Sequence, residues 1–333
     1  MIYVITMNAK FLVKPYRRSF CRPLTTARGV WELREGFLIR METAQGVGYG
    51  EVAPIPDFGS ETIDAAGDFL RTLTNGSEAT PPANLPACAF ALSAASQSIQ
   101  RERPKQKQYA VCALLPAGAA ALPVAEKKIE QGYETLKWKI GVEPLRSELE
   151  QACSLFDRLP EGVLLRLDAN ASLEPSALES WLELLEQFSC QVDYLEQPLP
   201  RGQEFLMAEA MQRSGIPIAL DESLNGAKAE RWMEPGAWAG PLVIKSPLMG
   251  EMERLRCRLK PLAGQVVLSS VFETGVGMES AFTLADALPD LERAVGYDTI
   301  NAFDDAMTQI KEGPIICASQ RECYDPEQIW NSI

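Results

Sequence analysis

Histidine is absent from the 333 residues of this chain, and the absence narrows its chemistry. Histidine is the commonest general base in enzymes and the commonest zinc ligand, so neither role can be filled in the usual way. Any proton transfer has to rest on carboxylate, lysine, tyrosine or cysteine side chains.

Paired cysteines, a leader segment and long apolar runs are also missing. The eight cysteines form no Cys-x-x-Cys pair and follow no spacing pattern, as is typical of reduced core residues in a cytoplasmic protein. The first residues lack the regions of a signal peptide, and no run of about 18 uncharged apolar residues could span a membrane. We therefore expect a cytoplasmic protein.

Positive charge is scarce, because 45 acidic residues outnumber 32 basic ones and leave a net charge of −13. Such a chain repels phosphate backbones and anionic lipids, which argues against nucleic acid and membrane partners. Apolar residues make up 46% of the sequence, enough for one large domain with a smaller one. We expect a small-molecule substrate and either a monomer or a homo-oligomer.

Residues 1–102 read as one α+β unit. Two segments indicate loops, the basic Arg17–Arg28 and the Gly/Pro-rich Gly46–Gly59. We expect Phe20–Arg28 and Pro54–Gly59 to close over the mouth of the second unit. The remaining pattern predicts two strands and two helices, at Ile2–Val13, Val30–Glu42, Ser60–Thr74 and Leu85–Gln100.

Residues 103–302 alternate short β-branched runs with amphipathic helical stretches, the pattern of a parallel β/α barrel. An open doubly wound sheet is disfavoured because no glycine-rich nucleotide loop follows the first strand. Residues 303–333 lose the repeat, and we expect this tail to pack back on the first unit. The predicted strands are Tyr109–Leu115, Thr135–Ile140, Val163–Asp168, Val192–Glu196, Ile216–Asp221, Pro241–Lys245, Val266–Val271 and a weaker Arg293–Tyr297.

A polar residue stands at or just after the end of nearly every predicted barrel strand, 24 to 29 residues after the one before. A barrel gathers the C-terminal ends of its strands around one mouth, so these side chains should converge there. They are Lys139, Asp168, Glu196, Asp221, Lys245, Glu273 and Asp298.

Three of these residues, Asp168, Glu196 and Asp221, are carboxylates on consecutive strands. Gathered in a low-dielectric mouth they would repel one another unless a cation lay between them. Oxygen ligands without histidine or thiolate favour a hard ion, so we expect Mg²⁺, with Mn²⁺ as a substitute. Glu222 would face away if its strand stayed regular.

Lysines form the second constellation. Lys137 and Lys139 flank Trp138, so both amines should point into the barrel while Trp138 packs outward against a helix. Two neighbouring ammonium groups disfavour each other's protonation, and a lysine with a lowered pKa can take a proton from carbon. Lys245 lies across the barrel, so the lysines would flank a bound substrate. A metal, a substrate carboxylate and a lysine base together suggest proton abstraction with enediolate stabilisation.

These motifs resemble those of the enolase superfamily, in particular its muconate-lactonizing-enzyme-like subgroup. The resemblance implies a modified (β/α)8 TIM-type barrel with an N-terminal α+β capping domain. The matching motifs are Lys137-Trp-Lys139, Asp168-Ala-Asn170, Glu196-Gln-Pro, Asp221-Glu-Ser and Lys245-Ser-Pro.

Within the subgroup, three stretches are similar to a group of dehydratases in menaquinone and phylloquinone biosynthesis. They start at Gly50, Ser269 and Gly296. The resemblance implies a lyase that removes water from 2-succinyl-6-hydroxy-2,4-cyclohexadiene-1-carboxylate. It also implies Lys139 as the acid/base, Lys245 as a cation on the opposite face, and supporting roles for Lys137 and Asn170. Candidate substrate contacts are Ser270, Glu273 and Thr274.

Several alternatives share the metal site. N-acylamino-acid racemases and cycloisomerases could use Lys139 and Lys245 as two bases. A dipeptide epimerase would need an Asp-x-Asp pair on the last strand, where Asp298-Thr-Ile offers one aspartate. A class I aldolase would use a lysine without the carboxylates, and a metal-binding module would need no lysine base.

Overall fold

The front of the chain is a three-stranded antiparallel sheet. The computed structural model describes residues 9–26, 29–73, 80–100, 107–226, 229–289 and 291–333. The strands lie in the order β1–β2–β3, and two helices follow them. The five elements are β1 (Lys10–Thr26), β2 (Gly29–Thr43), β3 (Gly46–Val52), α1 (Ile63–Arg71) and α2 (Pro86–Ser98).

The prediction of a loop from Gly46 onward is wrong up to Val52, because Gly46–Val52 is strand β3 and pairs with β2. Helix α2 packs unusually close to this strand. A Cβ atom at Gly48 would lie 1.9 Å from the Ala95 carbonyl oxygen, and one at Gly50 would lie 2.0 Å from that of Ala91. No side chain fits at either position, so the two glycines allow the helix backbone to rest on the strand.

The prediction of a loop at Arg17–Arg28 is wrong over its described part, because β1 continues to Thr26 with an irregularity between Ser19 and Leu24. The basic residues suggested a solvated segment, but Arg18 is buried against Asp305, with nitrogen–oxygen distances of 2.8 and 3.0 Å. Residues 2–8, 27, 28, 74, 101 and 102 of the predicted elements and boundary lie outside the described residues.

Short parallel strands form the second part of the molecule. One sheet has the order β5–β6–β7–β8–β9 and a second pairs β10 with β11. Single parallel bridges join Leu220 to Leu242, Ser269 to Gly296, and Val295 to Val111, which closes the ring. The predicted β/α barrel is therefore confirmed. Its strands are β5 (Ala113–Leu115), β6 (Thr135–Lys139), β7 (Leu164–Asp168), β8 (Val192–Glu196), β9 (Ile218–Ala219), β10 (Leu242–Ile244) and β11 (Val266–Leu268).

The predicted first and last barrel strands differ from the structure. The first is split, because β4 (Gln108–Ala110) pairs antiparallel with β12 (Ile315–Cys317) before β5 enters the barrel. Within the described residues, the predicted strand Arg293–Tyr297 takes part in the ring only through its two bridges.

Helices surround the barrel. The T-shaped contact of Trp138 with Trp181 of α5, 6.2 Å between ring centroids, confirms that Trp138 packs outward. None of the helices in the described ranges is long and apolar enough to cross a membrane. They are α3 (Ala121–Glu130), α4 (Leu145–Phe156), α5 (Pro175–Leu185), α6 (Glu204–Ser214), α7 (Met252–Leu259) and α8 (Gly275–Asp286), followed by the short α9 (Ala318–Arg321) and α10 (Pro326–Asn331).

The barrel interior contains a small apolar layer of Tyr194, Ala219, Val243 and Val267. Each stands two residues before a polar residue, Glu196, Asp221, Lys245 or Ser269 respectively, and therefore faces the same side as that residue. This layer forms a water-poor floor beneath the polar mouth.

The C-terminal segment contacts the front sheet. Lys14 donates hydrogen bonds to the carbonyl oxygens of Trp330 and Ile333, at 2.9 and 3.1 Å, and Ile329 packs in a cluster with Tyr16.

Asp298 does not turn its carboxylate into the mouth. It accepts hydrogen bonds from the Leu114 amide at 2.9 Å, from the Lys128 ammonium at 2.8 and 2.9 Å, and from the Tyr133 hydroxyl at 3.3 Å. The prediction that Asp298 converges on the mouth is therefore wrong. Its carboxylate instead joins the last strand position to β5 and α3, where backbone pairing is sparse.

We expect Asp298→Ala to destabilise the fold by about 2 to 4 kcal/mol, because it removes one partner of a buried ion pair and leaves an amide unsatisfied. The midpoint of urea unfolding measures the loss. Glu126→Ala is the matched control, since Glu126 pairs with Arg158 at 3.3 Å on the exposed surface and should cost less than about 0.5 kcal/mol. Equal urea midpoints for the two variants would contradict a stabilising role of the Asp298 contacts.

Candidate active site

Strand register brings three predicted site residues side by side. Lys139 pairs with Asp168 across β6 and β7, and Asp168 pairs with Glu196 across β7 and β8. Paired residues of parallel strands face the same side, so all three line the C-terminal end of the barrel. Asp221 directly follows β9 and its bridge, while Lys245 directly follows β10.

A lysine ammonium lies against each of the three carboxylates. Lys137 Nζ is 2.8 Å from Asp168 Oδ2 and 2.8 Å from Glu196 Oε1, while Lys245 Nζ contacts both carboxylate oxygens of Asp221. In the parts of the chain that the structure describes, no three acidic or cysteine side chains are gathered closely enough to hold an ion as they stand. A bound cation would have to replace these ammonium contacts.

The expectation that the two lysines of the motif lower each other's pKa is wrong for Lys137. Burial lowers its pKa, but the charges of Asp168 and Glu196 outweigh burial and raise the pKa well above its usual value. Lys137 is therefore a cation that neutralises part of the charge of two carboxylates. Its predicted supporting role would be this charge compensation.

The two carboxylates that contact Lys137 have pKa values shifted in opposite directions. Burial raises the pKa of Glu196 to about 7, with the charge of Asp168 acting in the same direction. Burial also acts to raise the pKa of Asp168, but the charge and hydrogen bond of Lys137 outweigh it and lower the pKa. The pair thus carries fewer than two full negative charges below about pH 7.

The donors fit a hard divalent cation. All three predicted ligands are carboxylates, the class that Mg²⁺ prefers. Glu196 Oε2 is buried with no hydrogen-bond partner among the described residues. A buried carboxylate oxygen without a partner is costly, and a cation would remove that cost.

Glu222 is a residue that sequence reasoning left out of the site. The strand does not stay regular, because the chain turns at Asp221 (φ −124°, ψ −74°) into a short 3₁₀ turn, Glu222–Leu224. Burial, followed by the charge of Asp221, raises the pKa of Glu222 to about 8. The sequence signal that could have included Glu222 was its position next to Asp221. Alternation along a regular strand predicted instead that the Glu222 carboxylate faces away from that of Asp221.

Gln197 ties two predicted ligand loops together. Its side-chain oxygen accepts hydrogen bonds from the amides of Asp221 and Ser223, both at 3.1 Å. Its amide nitrogen donates to Ser223 Oγ at 2.8 Å and to the Leu199 carbonyl at 3.0 Å. Gln197 is fully buried at φ +34°, and the network fixes the backbone that carries Asp221 relative to Glu196.

Asn170 supports Asp168 through its backbone. Its amide donates to Asp168 Oδ1 at 3.1 Å, and its φ of +46° lies in the left-handed region that asparagine tolerates. This contact orients the carboxylate.

The predicted substrate contacts Ser270, Glu273 and Thr274 are held by internal hydrogen bonds. Ser270 Oγ donates to Glu273 Oε2 at 2.8 Å, and the Thr274 hydroxyl contacts Glu51 of β3. Thr274 is fully buried. These bonds give Glu273 and Thr274 a part in shaping the loop after β11, and the three residues stay predicted substrate contacts.

Several hydrogen bonds hold the front sheet against the loop after β11 and the start of α8. Arg34 donates to the carbonyl oxygens of Val271, Ala53 and Pro54 at 3.0, 2.5 and 2.9 Å. Glu51 also accepts from the Gly277 amide at 2.9 Å, at the start of α8. These bonds hold the end of β3 and Pro54 against the loop after β11.

Because the Glu196 pKa lies near 7, we expect Mg²⁺ binding to strengthen from pH 6 to 8 and to release a proton. The carboxyl binds a proton below about pH 7, and the cation needs its charged form, so affinity should fall about tenfold at pH 6. Calorimetry in two buffers of different ionisation enthalpy measures both effects. Glu222→Gln should retain this dependence, and pH-independent affinity without proton release would contradict the assignment.

Two protein families match the chain. The family described as "MenC, N-terminal domain" matches residues 24–99, and "Enolase C-terminal domain-like" matches residues 121–239. The front sheet and the barrel thus each have a counterpart in known families.

Two similar proteins are both named o-succinylbenzoate synthase. The o-succinylbenzoate synthase of Thermosynechococcus vestitus is 38% identical over 81% of this chain and 87% of its own length. A Vibrio cholerae o-succinylbenzoate synthase is 30% identical over 81% of this chain and 83% of its own length.

Solved structures agree with the sequence relatives. The structure of o-succinylbenzoate synthase from Thermosynechococcus elongatus, complexed with Mg in the active site, superposes with a TM-score of 0.83 and 32% identity, covering 97% of this chain and 99% of that one. The Bacillus subtilis L-Ala-D/L-Glu epimerase shares the fold at a TM-score of 0.77 and 17% identity, covering 94% and 96%. The chain belongs to the o-succinylbenzoate synthase family of the enolase superfamily.

Proposed function

We propose that the chain is a magnesium-dependent lyase that removes water from 2-succinyl-6-hydroxy-2,4-cyclohexadiene-1-carboxylate to form o-succinylbenzoate, a step of menaquinone or phylloquinone biosynthesis. Its family membership supports this activity. The observation that supports the mechanism is the strand register, which sets Lys139 beside Asp168 and Asp168 beside Glu196, together with the contact of Lys245 with Asp221 four strands further round the barrel.

We assign Asp168, Glu196 and Asp221 as the residues that would hold Mg²⁺, or Mn²⁺ in its place. Their oxygen-only chemistry and the unpartnered Glu196 Oε2 support the assignment. The bound ion would supply positive charge opposite the substrate carboxylate and its enediolate form.

The remaining chemistry belongs to the lysines. Neutral Lys139 takes the α-proton, and the electron pair of the broken C–H bond moves into the enediolate. The Lys139 ammonium then returns that proton to the departing hydroxyl on the same face, so water leaves and the ring becomes aromatic. Lys137, committed to Asp168 and Glu196, is assigned to charge balance. Lys245 remains an ammonium that stabilises the enediolate from the opposite face.

The related activities are less well supported. A dipeptide epimerase needs acidic side chains on the last strand for an α-ammonium group, and the carboxylate of Asp298 is already held by Lys128 and the Leu114 amide. N-acylamino-acid racemization and cycloisomerization need the same metal and lysines, with Lys245 as a second base. A panel of N-acylamino acids and dipeptides beside the dienecarboxylate, followed by absorbance and chiral analysis, separates these activities.

Chelation should abolish dehydration, and added Mg²⁺ or Mn²⁺ should restore it. Asp168→Asn, Glu196→Gln and Asp221→Asn should each weaken Mg²⁺ binding, because each removes a charged ligand. Calorimetry reports binding separately from activity. Activity that survives a chelator would favour a Schiff-base aldolase. A crystal grown with Mg²⁺ in which one of the three carboxylates points away from the ion would refute that ligand.

Lys139→Ala should lower kcat by ~10⁴ or more, on the scale of lost general-base and orientation effects. Lys245→Ala should cost roughly 3 kcal/mol or more of transition-state stabilisation. Lys245→Arg keeps the charge but cannot act as a base near neutral pH, so it should retain more activity than Lys245→Ala.

The exposed Lys260→Ala serves as the control for these substitutions and should be fully active. Equal losses in Lys245→Arg and Lys245→Ala, with both variants folded and binding Mg²⁺, would support a two-base mechanism instead.

A further inference from the structure

An aromatic ring of the front unit lies against one of the proposed catalytic lysines. Lys245 Nζ is 3.9 Å from the centroid of the Phe58 ring. A cation over the face of an aromatic ring within about 6 Å is attracted by the ring quadrupole. The contact joins the Pro54–Gly59 segment directly to the barrel mouth.

The backbone that carries Phe58 is fixed on both sides. Before it, the Ile55 amide donates to Ser60 Oγ at 2.7 Å. After it, Gly59 has a φ of +81°, and a Cβ there would lie 2.9 Å from the Gly226 amide nitrogen in the loop that follows Asp221. The segment therefore rests against the barrel with no room for a larger residue at Gly59.

The ring itself is backed by apolar side chains. Phe58 packs against a buried cluster that includes Val52, Leu248 and Val271. Leu248 belongs to the turn after Lys245, where its amide donates to the Lys245 carbonyl oxygen at 2.9 Å. The ring and the lysine backbone are thus held by the same packing, which fixes their separation.

Lys245 has an aromatic contact and an acidic contact at once. Both carboxylate oxygens of Asp221 receive its ammonium hydrogens, while the Phe58 ring face lies 3.9 Å from the nitrogen. In the proposed metal site Asp221 also becomes a ligand of the ion, so part of its negative charge is shared. The ring would remain as a partner that the metal does not use.

We propose that Phe58 is a positioning residue for Lys245, whose ring face holds the ammonium in place as a fixed cation beside the substrate. The inference rests on the proposed function, because it deepens the electrostatic role of Lys245. It also gives a reason for one-base dehydration over racemization, since a second base would have to bring its nitrogen within reach of the proton position on the opposite face of the substrate α-carbon.

Phe58→Leu should lower kcat roughly tenfold, with KM and Mg²⁺ affinity within about twofold of the original chain. Phe58→Tyr keeps a ring face and should retain at least about a third of the activity. Phe69→Leu is the matched control, because Phe69 packs against the same cluster from α1 and should change activity less than about twofold.

A double-mutant cycle separates positioning from packing. In the Lys245→Ala background, Phe58→Leu should cost less than about twofold, because the cation that the ring holds is gone. A tenfold loss in both backgrounds, or equal losses in Phe58→Leu and Phe58→Tyr, would overturn the proposal.

A spectroscopic measurement tests the contact without activity. In protein with ¹³C-labelled lysine, the ring should shift the Lys245 ε-methylene resonance upfield, with Lys245→Arg identifying the signal. Phe58→Leu should remove the shift and Phe58→Tyr should keep it; no shift in the original chain would refute the contact. A chain that shows the shift but does not convert the dienecarboxylate would refute the proposed function and not the contact.

Discussion

The mutual repulsion of carboxylates at the barrel mouth is the constraint that organises the site. Asp168, Glu196 and Asp221 are almost completely buried, and buried like charges cannot all remain ionised without compensation. Lys137 and Lys245 provide part of that compensation by direct contact, while burial and the charge of Asp168 raise the pKa of Glu196. A divalent ion held by the three carboxylates would complete the balance.

Holding such charges in place requires rigid surroundings, and the chain supplies them through polar contacts behind and around the mouth. Gln197 joins the loops of two proposed ligands, while Asp298 fastens the ring where backbone pairing is thin. Arg34 and Glu51 fix the front sheet on the loop after β11. Each of these groups is buried and fully engaged, so each contributes precision that backbone pairing alone does not give.

Residue patterns in the sequence were sufficient to predict the barrel and the strand ends that carry Lys139, Asp168, Glu196 and Lys245. The signal was strong because apolar strands ending in a polar residue, such as Asp168, Glu196 and Lys245, recur once per βα unit. Variation in the strand propensity of single residues does not hide a regularity over so many units. The C-terminal ends of β7 and β8, at Asp168 and Glu196, agree with the prediction to the residue.

Features set by tertiary partners could not be predicted in this way. Arg18 looked solvated because its partner Asp305 lies far along the chain. Asp298 followed the strand-end rule, but Lys128 and Tyr133 draw its carboxylate outward. The turn at Asp221 redirected Glu222, and nothing in the local pattern marked Phe58 as a partner of Lys245. In each case the deciding neighbour is distant in sequence.

The close approach of α2 to β3 has a mechanical consequence. With helix carbonyl oxygens lodged over Gly48 and Gly50, α2 cannot slide along the strand without a collision, so shear between helix and sheet is blocked. The front sheet and α2 therefore form one rigid body, and the contacts of Arg34 and Glu51 with the loop after β11 fix the helix as well as the sheet.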